Sequence, residues 1–302
     1  MSKEKTMTKP KCIILVGPPG SGKSTKAKEL CEFNDAIYIN QDSQGRNEHF
    51  EIFKHALNFN QSVVIDRMNF NREQRARYLD LAKASGYETE IIVLHESYDT
   101  CLARCLARKG HETITNEDHA RGALQTFFTK YERPTKDEAD TVTFIYPEGP
   151  KQRVIYSDLD GTLCNIEHRR HWVHPPPGQK KNWPAFFNGI NDDTVNEPVM
   201  HTIWNFYDNG SNSLPIVYCS GRSEMYRDVS LEWLNKHNAP PGPLYMRPNK
   251  DSRQDFIVKE ILLDFELKTR YEIFLALDDR TQVVNMLRNR GITVFQVAPG
   301  DF

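Results

Sequence analysis

Twice along this chain of 302 residues, short apolar runs alternate with longer amphipathic stretches, and that rhythm constrains the fold more than any other feature. In the first half the runs are CIILV (12–16), AIYIN (36–40), SVVID (62–66), EIIVL (90–94) and TVTFIY (141–146). Helical periodicity fills the gaps near 23–33, 47–58 and 72–85, the last closing at Gly86, a residue suited to a left-handed cap. Strands separated by helices of that length form a parallel sheet with helices on both faces. PEGPK (147–151) interrupts both periodicities. The rhythm then restarts, with strands expected at 153–157, 214–219, 243–246, 273–277 and 292–297 and helices near 196–209, 224–237, 253–268 and 281–290. The sequence thus predicts an α/β protein of two parallel-sheet, three-layer domains, 1–148 and 149–302. The stretch 164–195, with its PPPG and many aromatics, breaks the second pattern and reads as an inserted cap or substrate loop.

The charge balance, 39 Lys+Arg against 41 Asp+Glu, argues against a long basic groove for duplex nucleic acid. Recognition of a strand end needs only a few arginines and stays open. The six cysteines contain no Cys-x-x-Cys pair and read as reduced thiols of a cytoplasmic protein. The first apolar run has five residues, too short for a signal sequence or a membrane span, so no membrane partner is expected.

GPPGSGKST (17–25) fits G-x-x-x-x-G-K-[ST] and lies between a strand and a helix. Gly17, Gly20, Ser21 and Gly22 let backbone N–H groups turn toward the phosphates of ATP. Lys23 supplies a point charge there, the Ser24 hydroxyl belongs on Mg²⁺, and Thr25 follows within the same site. Asp42 follows the second strand and is the candidate base that takes a proton from the acceptor hydroxyl, with a plain turn aspartate as the alternative. Asp66 ends the third strand and can order magnesium or water, or cap the next helix. Arg104 and Arg108, four residues apart and followed by Gly110, are expected to share a helix face in a lid over the transferring phosphate; a solvated face is the alternative.

VIYSDLDGTL (154–163) ends an apolar strand in Asp158 and Asp160. Beside Mg²⁺, one carboxylate can become an aspartyl-phosphate, while the other protonates the leaving oxygen and later deprotonates water. Ser220 and Lys259 are expected to hold the phosphoryl group, with Arg222 close behind Ser220. Asp278 and Asp279 would complete a metal shell with Asp158 and Asp160.

The second half resembles the haloacid dehalogenase superfamily of phosphatases, with a Rossmann-like fold. With a P-loop kinase in front, the whole resembles the T-even phage family of polynucleotide kinase/3′-phosphatases, most closely in LALDDRTQVVNMLRNRGITVFQVAPGDF (275–302). The resemblance implies a 5′-kinase in 1–148 that uses Asp42, Lys23, Arg104 and Arg108, and a 3′-phosphatase in 149–302. It implies transfer of the ATP γ-phosphate to 5′-hydroxyl ends of RNA or DNA and removal of 3′-phosphates, with 2′,3′-cyclic phosphate as a further candidate substrate. It assigns substrate contacts to Arg46, Asp66, Asn69, Arg169, Arg222 and Asp255. Arg46 sits one residue further from Asp42 than in the phage pattern, and the phage Asp-Thr-Asn reads Asp66-Arg67-Met68-Asn69 here. A ligase as functional partner and a homo-oligomeric state are also implied. Adding one phosphate and removing another turns a broken strand into ends a ligase can seal.

Two other readings fit the same motifs: a kinase–phosphatase pair for small metabolites such as nucleosides or sugars, and a non-catalytic scaffold that binds nucleotides and strand ends. His168, His171 and His174 recur every third residue, but Pro175 follows at once, so surface or substrate-loop contacts are favoured over a metal site. Trp172, Trp183, Phe186 and Phe187 can stack on a base or pack locally.

Overall fold

The computed structural model describes residues 9–108 and 116–300. The chain divides into two compact units, Met1–Glu148 and Gly149–Phe302. The first runs β1 (Lys11–Val16), α1 (Lys23–Asn34), β2 (Ile37–Asn40), α2 (Gln41–Gln44), α3 (Glu48–Asn58), β3 (Val63–Asp66), α4 (Arg72–Ala84), β4 (Glu88–Leu94), α5 (Tyr98–Ala107), α6 (Glu117–Lys130) and β5 (Thr141–Ile145). The second runs β6 (Gln152–Ser157), β7 (Cys164–Asn165), α7 (Glu167–Arg170), α8 (Trp183–Asn188), β8 (Thr194–Val195), α9 (Glu197–Tyr207), β9 (Ile216–Ser223), α10 (Arg227–Lys236), β10 (Leu244–Arg247), α11 (Asp255–Leu262), β11 (Tyr271–Arg280), α12 (Thr281–Asn289) and β12 (Val294–Gly300).

Each unit carries a five-stranded parallel sheet, in the order β2-β3-β1-β4-β5 and β10-β9-β6-β11-β12. The predicted α/β class and doubly covered sheets are what forms. The alternation of the strands shows why. Ile155, Ile216, Tyr218 and Leu277 point to one apolar cluster, and Val154, Tyr156, Val217 and Cys219 to another on the opposite face. In both sheets the strand order reverses around the first strand of the unit. The crevice beyond the carboxyl ends of β1 and β6 is therefore where a ligand can enter between diverging connections.

Several elements differ from the sequence reading. Helices α2 and α6 were not evident in the apolar pattern, and the helix expected over 253–268 begins at Asp255 and widens into a π-helical turn over Leu263–Leu267. The stretch 164–195 is short helices between β7 and β8, which pair antiparallel to close its base. Gly86 takes the left-handed φ of +80° just beyond α4. Among the described residues, no helix is long and apolar enough to cross a membrane.

Candidate active sites

At the switch point of the first sheet, the segment from Gly17 to Gly22 wraps between β1 and α1. Gly20 sits at φ +86°, and a Cβ there would lie 2.5 Å from the carbonyl oxygen of Cys101, so glycine is dictated by conformation and crowding together. Lys23 is buried and donates from Nζ to the Pro18 carbonyl at 2.8 Å; burial lowers its pKa while nearby Asp66 opposes the shift. Among the described residues, the buried Ser21 hydroxyl meets no hydrogen-bond partner. A buried orphan hydroxyl, a lysine and left-handed glycines form a donor set that fits the phosphates of ATP.

Asp66 closes β3 level with Leu15 of β1 and Asn40 of β2. Its Oδ2 accepts from Tyr38 Oη at 2.7 Å and Asn40 Nδ2 at 3.1 Å. Asn40 in turn accepts at Oδ1 from the Asp42 and Ser43 N–H groups at 2.8 and 3.1 Å, capping α2. Asp42 is thus held at the rim of a cavity also lined by Lys23, Ser24, Asp66, Arg67 and Arg108. Tyr38 and Asn40 were missed by the sequence reading, although YINQD places both on the strand that delivers Asp42.

Arg104 and Arg108 line a neighbouring cleft with Gly20, Gly22 and Thr25. They do not share a helix face: α5 ends at Ala107, and Arg108 has left it in an extended conformation. Arg104 pairs with Glu96 at 2.9 Å and donates to the Gly20 carbonyl at 3.3 Å. The expected lid continues to Gly110, which lies outside the described residues. Two of the residues expected on the acceptor side do not line this cavity. Asn69 is fully buried, donating to the Leu15 carbonyl at 2.8 Å beneath the phosphate loop, so it braces the loop rather than facing a substrate. Arg46 is exposed in the turn after α2 and does not line the cavity.

The second switch point gathers Asp158 just after β6, Asp278 and Asp279 in β11, and Lys259 in α11. The three carboxylates present oxygens within 4.8 Å of one another. Lys259 Nζ lies 2.6 Å from Asp158 Oδ1, 2.9 Å from Asp278 Oδ2 and 3.6 Å from Asp255 Oδ2. Burial, more than mutual repulsion, pushes the Asp158 and Asp279 carboxyls up to about 7 and Asp278 to about 6. Crowded hard oxygens that resist sharing negative charge fit a divalent cation such as Mg²⁺. Gly161, at φ +86°, leaves room for the Asp279 carboxylate, into which a Cβ would collide.

Asp160 is not in that acidic group. Its carboxylate turns to Arg169 and Arg222: Arg169 Nη2 donates to Oδ1 at 2.5 Å, and Arg222 donates through Nη2 and Nε at 2.6 and 2.9 Å. The metal-shell expectation for this side chain is therefore corrected, because two guanidinium groups occupy its oxygens and hold its pKa below the usual carboxylate range against the opposing effect of burial. Arg169 and Arg222 are themselves 1% and 0% exposed, with their guanidinium groups engaged by carboxylates. Both also donate to Asp193, Arg169 through Nε and Nη2 at 2.6 Å each and Arg222 through Nη2 at 3.2 Å. Asp193 was missed; it lies in the irregular insert, where no periodicity marks it. Ser220 is buried in β9 and accepts at Oγ from the Arg222 N–H at 3.2 Å. Asp255 pairs with Arg247 at 3.2 Å and Arg280 at 3.6 Å, beside the acidic group rather than in it.

The three histidines of the insert form no metal-binding group among the described residues. His168 approaches the Gly189 carbonyl at 3.2 Å. Trp183 stacks on Phe187, which meets Tyr226 at 4.7 Å between ring centres, so these aromatics pack on one another.

Residues 152–302 match the family described as the polynucleotide kinase PNKP phosphatase domain, and residues 43–134 match an AAA domain. A protein of Autographa californica nuclear polyhedrosis virus, provisionally described as a bifunctional polynucleotide kinase/RNA ligase, is 24% identical across 94% of this chain and 42% of its own length. One from Acanthamoeba polyphaga mimivirus, provisionally described as a bifunctional polynucleotide phosphatase/kinase, is 34% identical across 46% of this chain and 34% of its own length. The chain spans less than half the length of these curated relatives. Among solved structures, a chain of the Pnkp1/Rnl/Hen1 RNA repair complex is 22% identical, with full coverage of both chains and a TM-score of 0.41. With its matched segment covering half of the sequence, and with the acidic group and Lys259 inside that segment, the chain belongs to the family of the polynucleotide kinase PNKP phosphatase domain.

Proposed function

We propose that this chain heals nucleic-acid ends, adding phosphate at a 5′-hydroxyl and removing it from a 3′-phosphate, in preparation for a ligase. The observation that carries the reading is the pairing of a phosphate cradle open to Asp42 with a buried Asp158–Lys259–Asp278 cluster in a chain of this phosphatase family. In the first unit, 1–148, Lys23, Arg104 and Arg108 offset charge on the transferring phosphoryl group, and Asp42 takes the proton of the attacking 5′-hydroxyl. Ser24 and Asp66 are the groups placed to hold a cation there. In the second, 149–302, the Asp158 carboxylate attacks phosphorus as the bond to the 3′-oxygen breaks; water then cleaves the aspartyl-phosphate and releases inorganic phosphate. Asp160, ionised between its arginines, accepts the proton of that water and passes it to the leaving 3′-oxygen of the next turnover. Mg²⁺ held by Asp158, Asp278 and Asp279 would neutralise charge on the phosphoryl oxygens. Lys259 opposes the upward push of burial on Asp158 and aims its carboxylate through the 2.6 Å contact. Free cysteines throughout the chain suit the cytoplasm.

The test uses γ-labelled ATP with 5′-hydroxyl oligonucleotides and with free nucleosides, and 3′-phosphorylated oligonucleotides for phosphate release. Lys23→Ala should abolish labelling and spare release, and Asp158→Asn should do the reverse. Labelling of nucleosides alone would move the protein to the small-metabolite reading.

A further inference from the structure

Arg46 does not line the cavity and Asn69 is buried beneath it, so of the expected acceptor contacts of the first unit only Asp66 lies in that lining. The residue between them in that cavity is Arg67, which directly follows Asp66 at the end of β3 and lines the same cavity as Asp42, Lys23 and Ser24. The other two cations of the cavity have attachments on the donor side. Lys23 sits in the phosphate loop, and Arg108 also lines the neighbouring cleft with Gly20 and Thr25. Arg67 lines the cavity that holds Asp42 and Asp66 and is not part of that neighbouring cleft.

Arg67 is half-buried and, among the described residues, makes no ion pair; its one side-chain hydrogen bond runs from Nη1 to Tyr78 Oη at 2.8 Å. That bond is the end of a directed chain. The His49 ring lies 2.9 Å from Tyr78 Oη at Nε2 and 2.9 Å from the Gly45 carbonyl at Nδ1. A carbonyl only accepts, so Nδ1 carries the proton and Nε2 takes the tyrosine hydroxyl, which leaves the phenol oxygen free to accept from Arg67. Tyr78 and His49 are 0% and 1% exposed, so the anchor is rigid. It also ends at Gly45, one residue past α2, so the cation and the turn that carries Asp42 are fixed to each other. One corner of the guanidinium is spent on this anchor. The other N–H groups have no carboxylate to meet, although a half-buried cation favours an anion beside it.

We infer that Arg67 binds the acceptor strand through its first phosphodiester, the phosphate on the 3′ side of the nucleoside whose 5′-hydroxyl faces Asp42. That phosphate is what distinguishes a strand end from a nucleoside. A planar, permanently charged fork suits its two non-bridging oxygens better than a point charge does. The inference rests on the kinase reading of the first unit and adds to it the group that selects polynucleotide over nucleoside.

The test measures kinase kcat and KM with a 5′-hydroxyl dinucleoside monophosphate, whose diester the phosphatase does not cleave, and with the parent nucleoside. Wild-type protein should prefer the dinucleoside. Arg67→Ala should raise KM for the dinucleoside about 10- to 100-fold, the range of one charge-assisted contact. It should leave KM for the nucleoside and for ATP within about 3-fold, since neither meets Arg67. Arg67→Lys should recover part of the loss, and Tyr78→Phe, which keeps the ring and frees the guanidinium, should raise the same KM to a smaller degree. An unchanged dinucleoside KM in Arg67→Ala, or a rise confined to ATP, overturns the inference. If Arg67→Ala does not fold, an unchanged dinucleoside KM in Tyr78→Phe overturns it equally. If wild-type protein labels no acceptor with a phosphodiester, the end-healing reading itself falls, a result separable from the loss of Arg67 alone.

Discussion

Asp193 binds two buried arginines on behalf of Asp160, and replacing it by asparagine tests whether that grip constrains the phosphatase site. The substitution keeps the volume, removes the charge, and exchanges one acceptor oxygen for an amide that must face guanidinium N–H groups. Three contacts are affected, two from Arg169 at 2.6 Å and one from Arg222 at 3.2 Å. Two buried cations then share the single carboxylate of Asp160. Breaking a buried pair from one side costs about 3–5 kcal/mol; the amide retains one acceptor, so we expect about 2–4 kcal/mol. At about 2–4 °C per kcal/mol for a unit of this size, the phosphatase midpoint falls by about 4–16 °C. The assay is residual activity after graded heating of the intact chain, with kinase activity as the internal control. Phosphatase inactivation should move down while kinase inactivation stays. Below both midpoints, phosphatase kcat should fall as Asp160 loses its fixed orientation. An unchanged phosphatase midpoint together with an unchanged kcat would refute the reasoning.

Gly161→Ala places a methyl group against the Asp279 carboxylate at a φ of +86°; phosphatase kcat should drop at least about 10-fold with kinase activity intact, as steady-state rates will show. In the first unit, Arg75 and Glu138 form a buried bidentate pair at 2.7 and 2.9 Å. Glu138→Ala leaves that arginine uncompensated and should cost the unit about 3–5 kcal/mol in urea unfolding. The Asp279 carboxyl has a folded pKa near 7, above its unfolded value, so the fold favours its protonated form. Its ionisation therefore costs stability, by an amount that is nil below the unfolded pKa and grows as pH rises toward 7. Without metal, Asp279→Asn should gain stability over wild type between pH 5 and pH 8, and saturating Mg²⁺ should shrink the gap by stabilising the carboxylate; a gap independent of pH would contradict this.

The sheets were legible because each strand is a short apolar run and each crossover an amphipathic one, a pattern that survives without any knowledge of contacts. The glycines and Lys23 were legible for the same local reason: one strand–loop–helix segment contains the whole cradle. Asp158, Asp278 and Asp279 lie together because strand ends in a parallel sheet converge, and Lys259 reaches them from α11. What escaped depends on side-chain direction. The strand ends at Ser157 and the chain turns from Leu159 onward, so the i, i+2 spacing of Asp160 from Asp158 does not bring the two carboxylates into one shell. Arg104 and Arg108 looked like helix neighbours until α5 ended between them. Buried polar partners such as Asp193, Glu138 and the His49–Tyr78 pair carry no sequence periodicity, and only the packed structure reveals what they compensate.

Among the described residues, the charged groups assigned to each proposed centre lie within a single compact unit: Lys23, Asp42, Asp66 and Arg67 before the boundary after Glu148, and Asp158, Asp160, Lys259 and Asp278 beyond it. A lineage can therefore retire one catalyst through a single inherited change and keep the second in working order, and recombination at that boundary can trade either half as a finished tool.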